Sequence, residues 1–190
     1  MMRKLLGLTL VAVAMPFLQS CVPLAVTGAG AAAVMTSDRR TTGTYIEDES
    51  IEWKVIGRMR ERFPDVHMNA TSYNRRMLLT GEAPTEDARK QIEEMVRSIE
   101  NVKEVVNELQ VAGASSIASR GSDSLVTSNV KARMVNNGKF SPMHVKVVTE
   151  AGVVYLMGLV SQAEGDAAVE IARTTSGVNR VVKVFEYIGK

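Results

Sequence analysis

Residues 48–111 and 123–188 of this chain can be laid over one another, and that internal repeat limits the possible fold more than any other feature. The most strand-like run is Val153–Val160, Val-Val-Tyr-Leu-Met-Gly-Leu-Val, with Ala151-Gly152 before it and Ser161-Gln162 after it. β-Branched and aromatic side chains suit a pleated, half-buried surface. Arg76–Ala83 is its earlier counterpart. With Gly81 set on Gly158, Leu79 falls on Leu156, Met77 on Val154 and Ala83 on Val160. A lone glycine inside a strand pattern signals a bulge or a close backbone approach.

The rest of each copy follows from the same alignment. Each opens with an aspartate, Asp48 or Asp123, which is a helix N-cap candidate. Ile51, Val55 and Met59 then recur at the offsets of Val126, Val130 and Met134, one apolar stripe on a helix. Pro64 and Gly138 mark the ends of those helices. Residues 67–73 and 144–150 read as first strands, turning near Asn74-Arg75 and at Ala151-Gly152 into the second strands. Second helices follow, capped by Thr85 and Ser161. Their inward faces carry Ala88, Ile92, Met95 and Ile99 in one copy, and Ala168, Ile171 and Ala172 in the other. Val102 and Val178 lead into last strands. The expected fold class is α+β: two αββαβ modules, each a three-stranded mixed sheet with two helices on one face. In Val153–Val160, alternation sends Tyr155, Met157 and Leu159 to the face away from the helices. That row is too apolar to leave bare, so the two sheets should pack across it.

The first 20 residues have the form of an export signal: Arg3 and Lys4, then an apolar run over Leu5–Leu18 that is short for a membrane span. Leu18-Gln19-Ser20-Cys21 resembles the bacterial lipobox, which implies cleavage at residue 20 and acylation of Cys21. Cys21 is the sole cysteine, so no intramolecular disulfide can form. Several acyl chains give a stable anchor where one is marginal. Val22 rather than aspartate after Cys21 implies sorting to the outer membrane, facing the periplasm. The resulting division is 1–20 signal peptide, 21–47 lipidated cysteine and flexible tether, 48–111 first module, 112–122 linker and 123–190 second module.

The Val154–Val160 run, the crossover helix and Gly177-Val178-x-x-Val181 resemble the BON domain. In the first copy Met77 stands for the valine and Asn101 for the glycine. A lipobox followed by two such copies resembles the dual-BON outer-membrane lipoproteins, the family of the division- and outer-membrane-stress-associated lipid-binding protein. That resemblance implies a role in outer-membrane integrity and an association with division sites. It also implies anionic phospholipids, phosphatidylglycerol and cardiolipin, as partners of the second module's first helix. For some members it implies a link to the β-barrel assembly machinery. The alternative is a periplasmic adaptor that binds envelope proteins and touches membrane only through Cys21.

No P-loop, dinucleotide fingerprint or zinc spacing is found, and neither an enzymatic activity nor a cofactor is expected. His67 and His144 occupy matching positions and read as polar residues opening the first strands rather than as a metal pair, since ligands normally come as three or four. Loss of residues 1–20 leaves 21 basic and 21 acidic side chains, a neutrality that argues against a nucleic-acid partner. Residues 48–111 are net −3 and residues 123–190 net +2. In the second module's first helix, Leu125 lies off the inward stripe while Lys131 and Arg133, with Lys139 just beyond, supply positive charge. The candidate phospholipid-binding residues are therefore Leu125, Val126, Val130, Lys131, Arg133 and Lys139, with Cys21 as the lipidation site and no catalytic or metal site. Trp53, offset from the stripe of the first helix, is expected to pack rather than to bind a ligand.

Overall fold

The computed structural model describes residues 38–113 and 117–189; the signal segment, Cys21 and most of the tether lie outside them. The first module runs α1 (Thr42–Arg62), β1 (Met68–Tyr73), β2 (Arg76–Ala83), α2 (Glu86–Arg97), β3 (Glu104–Asn107) and β4 (Gln110–Val111). The second runs α3 (Ile117–Val135), a short 3-10 turn (Pro142–His144), β5 (Val145–Glu150), β6 (Val153–Val160), α4 (Gln162–Arg173) and β7 (Arg180–Tyr187). In each sheet the hairpin is antiparallel and the strand after the crossover helix pairs parallel with the central strand. β3 and β4 are two pieces of one edge on β2, interrupted at Glu108-Leu109, whereas β7 pairs with β6 without a break.

Asn74 and Arg75, like Ala151 and Gly152, have positive φ, the conformation of a tight two-residue hairpin turn. Gly81 and Gly158 face equivalent obstacles: a Cβ at either position would collide with the backbone carbonyl of His67 or His144. The close approach expected of these glycines is therefore real, and it occurs at the same place in both copies. Thr85 and Ser161 cap α2 and α4, and Ser161 with Glu164 completes a capping box.

Each module has its own core on the helix side of its sheet. Ile51, Val55, Met59, Ile92 and Met95 cover Met77 and Leu79 in the first; Val126, Val130, Met134, Ala168 and Ala172 cover Val154 and Leu156 in the second. A third cluster joins them. Tyr73 and Leu78 pack with Tyr155, Met157, Leu159 and Val184, so the sheets meet through their helix-free faces, as alternation along β6 requires.

Three expectations need correction. α1 starts at Thr42, capped by Thr41, so residues 42–47 are helix rather than tether. α3 starts at Ile117, so residues 117–122 of the expected linker are helical too. Consequently neither Asp48 nor Asp123 is an N-cap. Both are buried inside their helices, where each carboxylate accepts backbone N–H groups of its module's hairpin turn. Asp123 takes those of Ala151 and Gly152 at 2.9 and 2.8 Å. Asp48 takes those of Asn74 and Arg75 at 2.8 and 2.7 Å, with the Ser72 hydroxyl donating at 2.7 Å. A distant anion acceptor for turn amides has replaced the local cap.

Residues 38–40 are docked as well. Arg40 donates to Asp48 at 2.7 Å and lies over the Tyr73 ring, 4.1 Å from its centroid. Arg39 donates to both Glu164 oxygens at 2.7 and 2.9 Å and to the Leu159 carbonyl at 2.9 Å. The end of the tether thus straps both modules.

Two tests follow from these contacts. Gly158→Ala should cost about 1–3 kcal/mol by forcing β5 and β6 apart, measured by urea unfolding. The Arg39 guanidinium, hydrogen-bonded to Glu164, holds that carboxyl down to about 2 from an ordinary 4.5. A carboxylate depressed in this way contributes stability that is complete above about pH 4.5 and is lost as pH falls through about 2. Arg39→Met should therefore lower the melting temperature at pH 7, and the gap from wild type should close between pH 4.5 and 2. A gap that does not change with pH would mean that Arg39 acts through packing alone.

Candidate membrane-contact surface

α3 carries a single acidic residue, Asp123, and that carboxylate is turned into the core to hold the β5–β6 turn. Its Lys131 and Arg133 are exposed to solvent. At 100° per residue, the side opposite Val126, Val130 and Met134 presents Gly121, Leu125, Ser128, Ala132 and Val135, every one exposed. Leu125 is 68% exposed and Val135 65%. The outward face is therefore uncharged and partly apolar, with Lys131 on one flank and Arg133 on the other. An amphipathic helix lying in a membrane interface has this arrangement.

The six residues singled out from the sequence do not act alike. Leu125, Lys131 and Lys139 face solvent. Val126 and Val130 are buried in the second module's core and do not reach the surface, because the inward stripe and the outward face are opposite sides of one helix. Arg133 is engaged: its guanidinium donates to the Ile171 carbonyl at 2.9 Å and to the hydroxyls of Thr175 and Thr174 at 2.6 and 2.9 Å. It satisfies a carbonyl at the end of α4, where a cation also complements the helix dipole. Val135 was missed, although its offset of ten from Leu125 would have placed it on the same side of the wheel. Trp53 corrects a further expectation, since it is 68% exposed on α1 rather than packed, with Ile46 seven residues earlier 61% exposed.

The two histidines have different surroundings. His67 Nδ1 lies 2.9 Å from Glu82, and His144 Nδ1 lies 3.4 Å from Glu164. No helix among the described residues is long and apolar enough to cross a membrane.

The BON domain family matches residues 47–113 and 122–189. The outer membrane lipoprotein DolP of Haemophilus influenzae is 40% identical over 90% of this chain and 91% of its own length. The chain belongs to the BON family. It is a two-BON outer-membrane lipoprotein, and its modules are called BON1 and BON2 below. A 21 kDa hemolysin of Actinobacillus pleuropneumoniae is 34% identical over 80% of this chain and 79% of its own length. The osmotically inducible protein Y of Escherichia coli is 27% identical over 82% of this chain and 80% of its own.

The two basic residues of BON2's α3 should separate experimentally. Arg133→Ala should lower stability by about 1 kcal/mol through the lost charged hydrogen bonds. Lys131→Ala should leave urea unfolding unchanged. If both changes were neutral to stability, Arg133 would not be holding the end of α4.

Proposed function

We propose that the protein is a non-enzymatic lipoprotein, acylated at Cys21 and facing the periplasm, whose BON2 binds anionic phospholipid through the outward face of α3. The observation that carries this reading is that face itself: Leu125 and Val135 exposed on a helix whose solvent-facing charges are all basic. Burying an exposed leucine is worth ~1.5–3 kcal/mol, and each lysine or arginine near anionic headgroups about 1 kcal/mol. Alone these hold a soluble domain weakly. A lipid anchor keeps BON2 at high local concentration beside the bilayer, so a weak site is filled and can respond to lipid composition. Phosphatidylglycerol and cardiolipin are the natural anionic candidates. Support of outer-membrane integrity, and recruitment to division sites, follow as the cellular roles of such a reader.

The test is vesicle flotation of an unlipidated form of the protein. Phosphatidylglycerol vesicles should bind it and purely zwitterionic vesicles should not. Leu125→Glu should weaken binding roughly tenfold or more, from the lost apolar burial. Lys131→Ala should weaken it roughly fivefold, from about 1 kcal/mol per basic side chain. Equal binding to both vesicle types, or full binding by folded Leu125→Glu, would remove the proposal.

A second reading is favoured by Trp53 and Ile46, exposed on one side of BON1's α1. Here the protein is an adaptor that docks envelope proteins, such as the β-barrel assembly machinery, through α1. α1 mixes acidic and basic side chains, unlike α3, so it suits a protein surface better than an anionic bilayer. Trp53 is the sole tryptophan, so its fluorescence reports on this face directly. A shift of its emission with a protein partner and none with vesicles would support that second reading.

A further inference from the structure

α1 and α3 lie on opposite outer surfaces of the molecule. Each packs on the helix side of its own sheet, and the sheets meet through their helix-free faces, so the layers run α, β, β, α. The repeat gives the two helices equivalent outward positions, because the same offsets face the core and the same aspartate ties each helix to its hairpin turn. On α1 the outward side carries Ile46, Ser50, Trp53 and Gly57, all exposed, and Gly57 has open space around it. The equivalent positions on α3 are Gly121, Leu125, Ser128 and Ala132. A bulky side chain on one helix therefore stands where the other has a small one. Trp53 corresponds to Ser128, and Leu125 corresponds to Ser50.

These two faces fit one another as an antiparallel pair. With Trp53 seated on Ser128, the rise of 1.5 Å per residue brings Ile46 level with Val135 and Leu125 level with Gly57. Glu49 then flanks Lys131, and both are exposed. A parallel pair would keep the match of sizes but would bring Lys54 toward Lys131. The antiparallel sense also opposes the helix dipoles favourably. The charges of the modules agree, with residues 48–111 at net −3 and residues 123–190 at net +2. We infer that the outward face of α1 is a docking site for α3 of a second copy of this chain. Because the two faces are on opposite surfaces, the contact is heterologous: a bound pair still offers one free α1 and one free α3, so further copies can add. One helix pair is a small interface, so the association is weak and rises with concentration. The contact covers Leu125 and Val135, and self-association therefore withholds α3 from the bilayer. That consequence rests on the membrane reading of α3 proposed above, whereas the contact itself does not.

The test uses an unlipidated form of the full mature protein in sedimentation equilibrium. The average mass of the wild type should rise with concentration. Trp53→Ser and Leu125→Glu, both at exposed positions, should each weaken association by at least roughly tenfold. Mixed in equal amounts, the two variants should form a heterodimer and stop there, because only the α3 of one and the α1 of the other are intact. Trp53 is the sole tryptophan, so all tryptophan emission in that mixture comes from the Leu125→Glu chain, and it should shift to the blue. Flotation with phosphatidylglycerol vesicles separates this inference from the membrane reading. Trp53→Ser should float at least as well as the wild type. Self-association without flotation of any form would keep the contact and remove only the membrane reading. The contact would be overturned by a wild-type mass that does not change with concentration, or by unaltered association of folded Trp53→Ser. A mixture that stays monomeric while the wild type associates would overturn it too. Trp53 emission that shifts only with vesicles would do the same, by giving α1 to lipid.

Discussion

Two buried carboxylates, Asp48 and Asp123, tie the long helix of each module to the tip of its hairpin, and the rest of the structure is arranged around that tie. A tight turn with two successive positive-φ residues presents its amide N–H groups to one side. An unsatisfied buried amide is costly, and so is an unpaired buried carboxylate; each removes the other's cost. The interaction fixes where along the helix the turn must lie. It thereby sets which helical face meets the sheet and which faces outward. In BON2 it also withdraws α3's only acidic side chain from the surface, which leaves the exposed part of the helix without negative charge.

The repeat makes the modules alike in their cores and different on their surfaces. Glycine at the same strand position admits the same carbonyl in both, and the same three helical positions fill both cores. The outward faces are not bound by those packing requirements. BON1 shows a tryptophan among charges of both signs, while BON2 shows leucine and valine flanked by basic residues. One scaffold thus presents two chemically distinct surfaces.

Joining the modules uses the sheet faces that the helices leave free. The apolar part, from Tyr73 and Leu78 to Tyr155, Met157 and Leu159, is the expected answer to a row that water would otherwise meet. The polar end is different in kind. Lys146 reaches Glu52 across the seam at 3.0 Å, and Asn69 reaches Glu150. Arg39 and Arg40 close the assembly from outside by pairing with Glu164 of BON2 and Asp48 of BON1. Residues that read as tether by composition become part of the fold because arginine can satisfy carboxylates on both modules at once.

The sequence by itself determined the repeat, the α+β class, the strand that centres each sheet, both hairpin turns and the caps at Thr85 and Ser161. These depend on local periodicity and backbone stereochemistry, which a short window of residues records. It also determined that Leu125 lies off the core stripe, because helical geometry decides that. Only the tertiary structure decided what the buried polar groups do. Asp48 and Asp123 look like caps until a turn 26 to 29 residues later supplies their donors. Arg133 looks like a free surface charge until the end of α4 is beside it. His67, Glu82 and Glu150 form a cluster only because the modules dock, which sequence distance cannot reveal. Hydrogen bonds and ion pairs of this kind are set by proximity across the chain, whereas the apolar pattern is set by the periodicity of each element.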